Sequence, residues 1–134
     1  MEKVELKKLQ AFLCRSFDND AIRVVANPKS PDTTADVQFG QRTLGQITLD
    51  DEDGDRSFAF EMKIPVNRLI LQDYLRRLFE SDKLKVVTRA KKTDSVELTS
   101  GDDYIGVISA DDKQGSSFTL QVAILDVDLE EAEL

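Results

Sequence analysis

Residues 9–13 have the sequence Leu-Gln-Ala-Phe-Leu, and residues 71–75, 62 positions later, have the sequence Leu-Gln-Asp-Tyr-Leu. The same shift aligns further identical pairs: Arg15 with Arg77, Phe17 with Phe79, Asp20 with Asp82, and Val24 with Val86. With small gaps in the loops, the correspondence continues to Gly40 with Gly101, Asp50-Asp51 with Asp111-Asp112, and Ser57-Phe58 with Ser117-Phe118. Because chance similarity seldom keeps this length and order, the sequence predicts a tandem duplication.

Each copy begins with a helical pattern. Apolar residues recur there every three or four positions: Leu6, Leu9, Leu13 and Phe17 in the first copy, then Leu71, Leu75, Leu78 and Phe79 in the second. Ile70 and Tyr74 widen the second stripe, so we expect the second helix to be the more buried of the two. Pro65 ends the preceding strand, and Asn67, two residues later, is a suitable N-cap for this helix.

Four strand patterns follow each predicted helix. Short β-branched or alternating segments cover residues 22–26, 36–39, 46–49 and 58–64, and then 84–88, 95–98, 104–108 and 118–124. Glycines at 40, 54, 101 and 115 mark turns between them. Because connections this short cannot join parallel neighbours, we expect antiparallel pairing.

The predicted fold is therefore α+β, with two tandem helix-plus-four-strand repeats. The first repeat covers residues 1–65, and the second covers residues 66–134 and includes an acidic C-terminal tail. A unit of about 60 residues is marginally stable alone. We therefore expect the repeats to pack as one compact domain with pseudo-two-fold symmetry, so that one chain imitates a homodimer.

The composition of the 134 residues excludes several kinds of site. The chain has 18 Lys and Arg against 26 Asp and Glu, no His and a single Cys. Without His there is no Ser-His-Asp triad and no His-ligated metal, and one Cys forms neither an internal disulfide nor a thiolate zinc site. Cys14 corresponds to Arg76, a residue type that is rarely buried, so we expect a partly exposed spectator thiol.

Neither a membrane segment nor a secretory signal is recognisable. The apolar runs are too short to span a bilayer, and residues 1–8 alternate in charge without an apolar core. We therefore expect a cytoplasmic protein. The spacing of the carboxylates indicates no facing pair for acid–base catalysis, so we expect no enzymatic activity and no cofactor.

The C-terminal stretch Ser117-Phe-Thr-Leu-Gln-Val-Ala-Ile-Leu-Asp-Val-Asp-Leu-Glu130 resembles the end of a short alphaproteobacterial family of unknown function. Leu71-Gln-Asp-Tyr-Leu-Arg-Arg-Leu-Phe79 is similar to its opening helix, and Gly101-Asp-Asp-Tyr-Ile-Gly-Val107 to its central strand. The family unit is one copy long. The resemblance implies a fold unit and a bacterial context, and it implies no catalytic residues.

The acidic run after the third predicted strand suggests a weak cation site. Asp51, Asp53 and Asp55 supply oxygen atoms of the kind that calcium prefers. In an EF-hand register, however, Leu49 and Phe60 would stand at ligand positions, and the second copy has Gln114 and Ser116 in place of Asp53 and Asp55. The pattern favours a polar hairpin turn, with no metal bound.

The most basic stretch, at Arg89, Lys91 and Lys92, suggests nucleic-acid binding as an alternative function. The helix-and-four-strand alternation resembles PUR-like single-strand binders at the level of topology only. A net charge of -8 and the lack of interleaved aromatic residues favour a solvated face instead.

The sequence favours a non-enzymatic interaction or adaptor module with a protein partner whose identity it leaves open. We expect the binding surface at the junction of the two halves or at an exposed sheet edge that accepts a strand. The chain would be a monomer with pseudo-dimeric halves or a homodimer. The acidic tail from Asp126 onward is expected to be a frayed, solubilising end, with a short partner-binding peptide as the alternative.

Overall fold

The computed structural model of the chain describes residues 1–51, 56–89 and 94–132. Helix α1 (Lys3–Ser16) precedes strands β1 (Ile22–Ala26), β2 (Thr34–Phe39), β3 (Arg42–Asp50) and β4 (Ser57–Ile64). A 3-10 turn (Arg68–Ile70) leads into helix α2 (Leu71–Phe79) and strands β5 (Leu84–Thr88), β6 (Ser95–Ser100), β7 (Asp103–Ala110) and β8 (Phe118–Leu125). Helix α3 (Asp126–Ala132) follows. The predicted α+β class is confirmed.

The eight strands form one antiparallel sheet in the order β1-β2-β3-β4-β8-β7-β6-β5. The chain divides into unit 1 (Met1–Glu61 with Ala123–Leu134) and unit 2 (Met62–Val122). The divisions fall inside β4 and inside β8, whereas the predicted boundary between the copies falls just after β4. Within the described residues, no helix is both long and apolar enough to cross a membrane.

Each repeat helix buries most of the predicted apolar stripe, whereas Leu6 and Leu78 are only half-buried. Leu9, Leu13 and Phe17 are fully buried in unit 1, and the Phe17 ring meets the Phe60 ring edge to face, with 6.5 Å between centroids. Their counterparts, which are also buried, are Leu71, Leu75 and Phe79. The expectation that Ile70 belongs to the buried stripe is wrong. It lies in the 3-10 turn, outside the α-helical register, and 46% of it is exposed.

A glutamine ties each helix to the outermost strand of its own repeat. Gln10 Oε1 accepts the Val24 N–H at 3.0 Å, and Gln72 Oε1 accepts the Val86 N–H at 3.1 Å. β1 and β5 are the two edges of the sheet. Each glutamine therefore fixes its helix above an edge strand and occupies an N–H group that an incoming strand would need.

Cys14 and its counterpart Arg76 form a second hydrogen bond between each helix and the edge strand of its repeat. The Cys14 thiol donates to the Ile22 carbonyl at 3.4 Å, and Arg76 Nε donates to the Leu84 carbonyl at 2.7 Å. Burial raises the pKa of the Cys14 thiol, which disfavours the reactive thiolate. The geometry agrees with the expected half-buried, unreactive cysteine.

A bulge and a close-packed glycine recur in the third strand of each repeat. Val37 pairs with Gly45 and Gln38 with Thr43, and Leu98 and Thr99 pair in the same way with Gly106 and Tyr104. A Cβ atom on Gly45 would lie 2.1 Å from the Glu61 carbonyl oxygen. One on Gly106 would lie 2.3 Å from the Gln121 carbonyl oxygen. The close approach to the last strand of the repeat requires glycine at both positions.

The two repeat helices end with the same backbone conformation, but the polar side chain that follows forms a hydrogen bond in only one of them. Asp18 and Glu80 both adopt a positive φ of 52°. The next residue in unit 1, Asn19, accepts the Ala21 N–H at 2.8 Å. Its counterpart Ser81 is buried, and its hydroxyl has no hydrogen-bond partner within the described residues.

Gly45→Ala should destabilise the protein by about 3 kcal/mol, because the methyl group forces apart two strands that share a backbone contact. Gly40→Ala is the matched control. Gly40 has a φ of +63° and open space around its Cβ position, so its cost is the backbone strain of about 1 kcal/mol. Thermal unfolding of both variants measures the difference, and an equal or smaller loss at Gly45 would contradict the assigned close approach.

Ser81→Asn should raise the free energy of unfolding by about 1 kcal/mol, because it restores the turn hydrogen bond that Asn19 makes in unit 1. Asn19→Ser should lower it by a similar amount. Denaturant unfolding of both variants provides the test. A loss of stability in Ser81→Asn would show that the two helix ends are not equivalent.

Candidate docking groove

Unit 2 contains an open groove with a volume of about 590 Å³. Three segments form it: the 3-10 turn before α2, the start of β6, and the hairpin between β7 and β8. The lining residues are Asn67, Arg68, Leu69, Asp94, Ser95, Val96, Ala110, Asp112, Lys113, Gln114, Gly115 and Phe118. This combination of an apolar base and polar edges is typical of binding sites.

The groove has a buried apolar base and an exposed apolar rim. Val96 and Phe118 are buried, whereas Leu69 is 93% exposed and the adjacent Ile70 is 46% exposed. Asn67 positions the rim, because its side chain accepts the Leu69 N–H at 3.0 Å. Asn67 caps the 3-10 turn that leads into α2, whereas the predicted N-cap position of α2 itself is occupied by Ile70. The 62-residue shift places Leu69 and Ile70 on two lysines of the first copy, Lys7 and Lys8. The apolar rim is therefore a property of the second copy.

Asp112 stabilises the turn of the β7–β8 hairpin through hydrogen bonds. Its carboxylate accepts the Ser116 N–H at 3.1 Å and also the Ser116 hydroxyl. The hydrogen bond from the Ser116 side chain is the main cause that lowers the pKa of Asp112. The carboxylate is therefore ionised and oriented beside the groove at neutral pH, as the predicted turn chemistry requires.

Asp111 closes the same hairpin. Its carboxylate accepts the Thr119 hydroxyl at 2.6 Å and the Ser117 hydroxyl at 3.0 Å, and Lys63 Nζ lies 3.6 Å away. Lys63 Nζ also donates to Thr119 Oγ1 at 2.9 Å. These contacts lower the pKa of Asp111, and the Thr119 hydroxyl has the largest effect. The cluster holds the hairpin that forms one wall of the groove.

In unit 1, the region equivalent to the groove contains an ion pair between Arg56 and Glu5. Arg56 donates to Glu5 through two nitrogens at 2.7 and 2.8 Å, and its guanidinium carbon lies 5.8 Å from the centroid of the Phe58 ring. The hydrogen bond to Glu5 is the main cause that raises the pKa of Arg56, and the charges of Asp51 and Asp126 add to it. Arg56 thus lies over an aromatic ring and among carboxylates.

The groove residues correspond to the neighbours of Arg56. Asn67 aligns with Glu5, Asp112 with Asp51, and Phe118 with Phe58. The residue before Ser57-Phe58 is Arg56, whereas the residue before Ser117-Phe118 is Ser116, which turns back onto Asp112. The second copy therefore keeps the ring and the carboxylate, but it is one residue shorter between Gly115 and Ser117, so Arg56 has no counterpart in it.

Of the three predicted cation ligands, the structure describes only Asp51. Asp51 is exposed directly after β3 and acts electrostatically on Arg56. Asp53 and Asp55 lie outside the described residues. Among the residues that the structure describes, no group of three or more carboxylate or thiol side chains is placed to hold a metal ion.

Of the predicted basic stretch, the structure describes only Arg89. Arg89 Nη1 donates to Ser95 Oγ at 3.1 Å, and Arg89 Nε lies 3.9 Å from Glu97 Oε1. Lys91 and Lys92 lie outside the described residues. Unit 2 contains 10 Lys and Arg against 9 Asp and Glu, so the more basic of the two units is still nearly neutral. Counterion release gives little affinity at such a balance, and nucleic-acid binding stays a prediction.

Residues Asp126–Ala132 of the acidic tail form helix α3, so the expectation of a frayed end is wrong for the described part of the tail. Leu129 is 3% exposed, and α3 packs against α1 within unit 1. Asp128 accepts the Leu125 N–H at 2.9 Å, and Asp126 and Asp128 occupy the first turn, where carboxylates stabilise a helix. Burial of Leu129 thus supports a helix that charge alone would not predict.

Asp111→Asn should remove a pH-dependent part of the stability. The folded pKa lies below the unfolded value of about 3.9, so the carboxylate stabilises the fold above that value, and the effect is lost as pH falls through the folded pKa. The Tm difference between the wild type and Asp111→Asn should be largest near neutral pH and shrink as the pH falls below the unfolded pKa and through the lowered pKa of the folded state. Thr119→Val, which removes the shortest donor, should show part of the same effect. A Tm difference that does not change with pH would contradict this role.

Comparison with known proteins gives one family. The sequence model of the family described as "Protein of unknown function (DUF3126)" matches the chain twice, at residues 5–66 and 69–128. No curated protein and no solved structure matches the chain. The two successive matches confirm the predicted tandem duplication. The chain therefore belongs to this family of unknown function and contains two copies of its unit.

Proposed function

We propose that the protein is a non-enzymatic interaction module that acts in the cytoplasm and binds a partner protein through the groove of unit 2. The observation that carries this proposal is the exposure of Leu69 beside the groove. The adjacent Ile70 is also exposed and adds apolar surface next to Leu69. A partner that covers these side chains gains the hydrophobic free energy that the isolated fold leaves unused, about 1.5–3 kcal/mol for a fully covered leucine.

The difference between the copies supports a functional origin of this rim. The first copy has Lys7 and Lys8 at the positions that align with Leu69 and Ile70, so the repeat can have charged residues there. A solvated lysine suits an exposed position better than leucine does when no partner is bound. The apolar pair is therefore best explained by contact with a partner.

The groove suits binding better than catalysis. Asp112 has a lowered pKa and is held by Ser116, whereas a general acid working near neutral pH needs a raised pKa. The edge strand β5 suits strand addition less well, because Gln72 and Arg76 already bond to its Val86 and Leu84 main-chain groups. Binding at the groove uses unit 2 alone and does not depend on the predicted pseudo-two-fold packing of the copies.

Leu69→Lys/Ile70→Lys restores the residue type of the first copy and should abolish partner capture. The bait would be the full chain, incubated with a lysate of the source organism, and bound proteins would be quantified by mass spectrometry. We expect at least one protein to be enriched on the wild type and reduced about tenfold or more on the double variant. Such a loss corresponds to about 1.4 kcal/mol or more of binding free energy.

Val87→Lys/Tyr104→Lys is the matched control. Both residues are exposed, lie in unit 2 outside the groove lining, and receive the same added charge. This variant should keep the partner. Capture that survives in the Leu69→Lys/Ile70→Lys variant, or that is lost equally in both, would contradict docking at the groove.

A further inference from the structure

We infer that side-chain hydrogen bonds at both edges of the sheet keep the chain from pairing, strand to strand, with a second copy of itself. We call these hydrogen bonds the edge contacts. They join Gln10, Cys14 and Arg23 to main-chain groups of β1, and Gln72 and Arg76 to main-chain groups of β5. Because an edge strand presents N–H and C=O groups with which another strand can pair, edges need protection. This role is independent of docking at the groove.

The strand pairing shows which main-chain groups point away from the sheet. The Gly101 N–H donates to the Lys83 carbonyl at 3.0 Å, so the odd-numbered residues of β5 direct their main-chain groups toward β6. The Asn27 N–H donates to the Thr34 carbonyl at 3.0 Å, so the odd-numbered residues of β1 likewise face β2. The residues that direct their main-chain groups outward therefore include Ile22, Val24, Leu84 and Val86.

In unit 2, the edge contacts occupy the two groups that an added strand needs. Gln72 Oε1 accepts the Val86 N–H at 3.1 Å, and Arg76 Nε donates to the Leu84 carbonyl at 2.7 Å. A residue of a parallel strand would bind this same carbonyl and N–H, and an antiparallel strand would also need both. An added strand must therefore displace two side-chain hydrogen bonds before it can pair with β5.

Unit 1 has the same arrangement but builds it with different residues. Gln10 Oε1 accepts the Val24 N–H at 3.0 Å. The Ile22 carbonyl accepts the Cys14 thiol at 3.4 Å and also Arg23 Nη1 at 2.9 Å. The first copy thus has a cysteine at the helix position where the second copy has its arginine, and its arginine comes from the strand. Common ancestry of the copies does not by itself explain an arginine donor at two different positions, whereas a need to occupy the carbonyl does.

The edge strands themselves are suited to pairing. Each contains two adjacent valines, and the exposed ones, Val25 and Val87, are 40% and 43% exposed. β-Branched residues favour strands and stabilise contacts between neighbouring strands. Charged side chains, which protect many natural edges, are limited to Arg23 in β1 and Lys85 in β5. The edge contacts therefore supply protection that the strand sequences lack.

The presence of two edges determines which assemblies would form without the edge contacts. If only β5 is open, the β5 strands of two chains can pair antiparallel about a two-fold axis, and the result is a closed dimer. If β1 and β5 are both open, each chain can join two neighbours, and growth does not end at a dimer. The number of open edges thus predicts the size of the assembly.

Gln72→Ala/Arg76→Ala opens β5 alone, and alanine preserves α2 because it has the highest helix propensity. In sedimentation velocity we expect a monomeric wild type and a variant that forms dimers as its concentration rises. Asp73→Ala/Arg77→Ala is the matched control, since both residues are exposed on the same helix with the same spacing. It should sediment like the wild type. A Gln72→Ala/Arg76→Ala variant that never exceeds the wild-type mass, or a control that associates equally, would overturn the inference.

A second variant adds Gln10→Ala/Arg23→Ala to Gln72→Ala/Arg76→Ala and opens both edges. This fourfold variant should form species larger than a dimer in the same measurement, because each chain then has two edges available for pairing. Association that stops at a dimer would show that the edge contacts do not protect both edges.

Amide hydrogen exchange tests the edge contacts in the folded monomer. At low concentration, the Val86 N–H of the wild type should exchange about fivefold or more slowly than that of Gln72→Ala, which lacks the acceptor. The Val24 N–H, whose contact with Gln10 is intact, is the internal reference. Its unchanged rate shows that the variant is folded. Equal Val86 exchange rates in the two proteins would count against a protecting contact at this edge.

Discussion

A single helix is too narrow to cover the four strands of one repeat, and this constraint shapes both repeats. Four strands span about 14 Å between their outer axes, whereas a helix with its side chains is about 10–12 Å wide. Gln10 and Gln72 hold each helix toward the edge strand of its repeat. The region around the last strand, at Phe58 and Phe118, must therefore be covered by other parts of the chain.

The two units meet this need differently. In unit 1 the guanidinium of Arg56 covers the Phe58 ring and is held by Glu5, and helix α3 packs against α1. In unit 2 the corresponding region is the groove, with Phe118 at its base and the exposed Leu69 on its rim. The two copies therefore share one fold and differ in how the region around this phenylalanine is covered, and it is this difference that our proposal relates to binding.

Much of the fold follows from the sequence, because the repeat shows each pattern twice. The spacing of Leu9, Leu13 and Phe17 and the strand alternation locate helices and strands correctly. The sequence pattern does not predict helix α3, because the helix is stabilised by the burial of Leu129, a long-range contact that charge and local pattern do not reveal. The sequence pattern does not reveal the groove either. It assigns Ile70 to the buried helix stripe and gives no role to Leu69, whereas the 3-10 turn leaves both side chains exposed.

We propose that the second copy, and not the first, presents the binding surface. Site-specific photo-crosslinking in the source organism tests it most directly, with benzoylphenylalanine placed at position 69 in one variant and at the equivalent position 7 in another. We predict a covalent adduct with a partner protein from position 69 and none from position 7. Adducts of equal yield from both positions, or from position 7 alone, would contradict the claim.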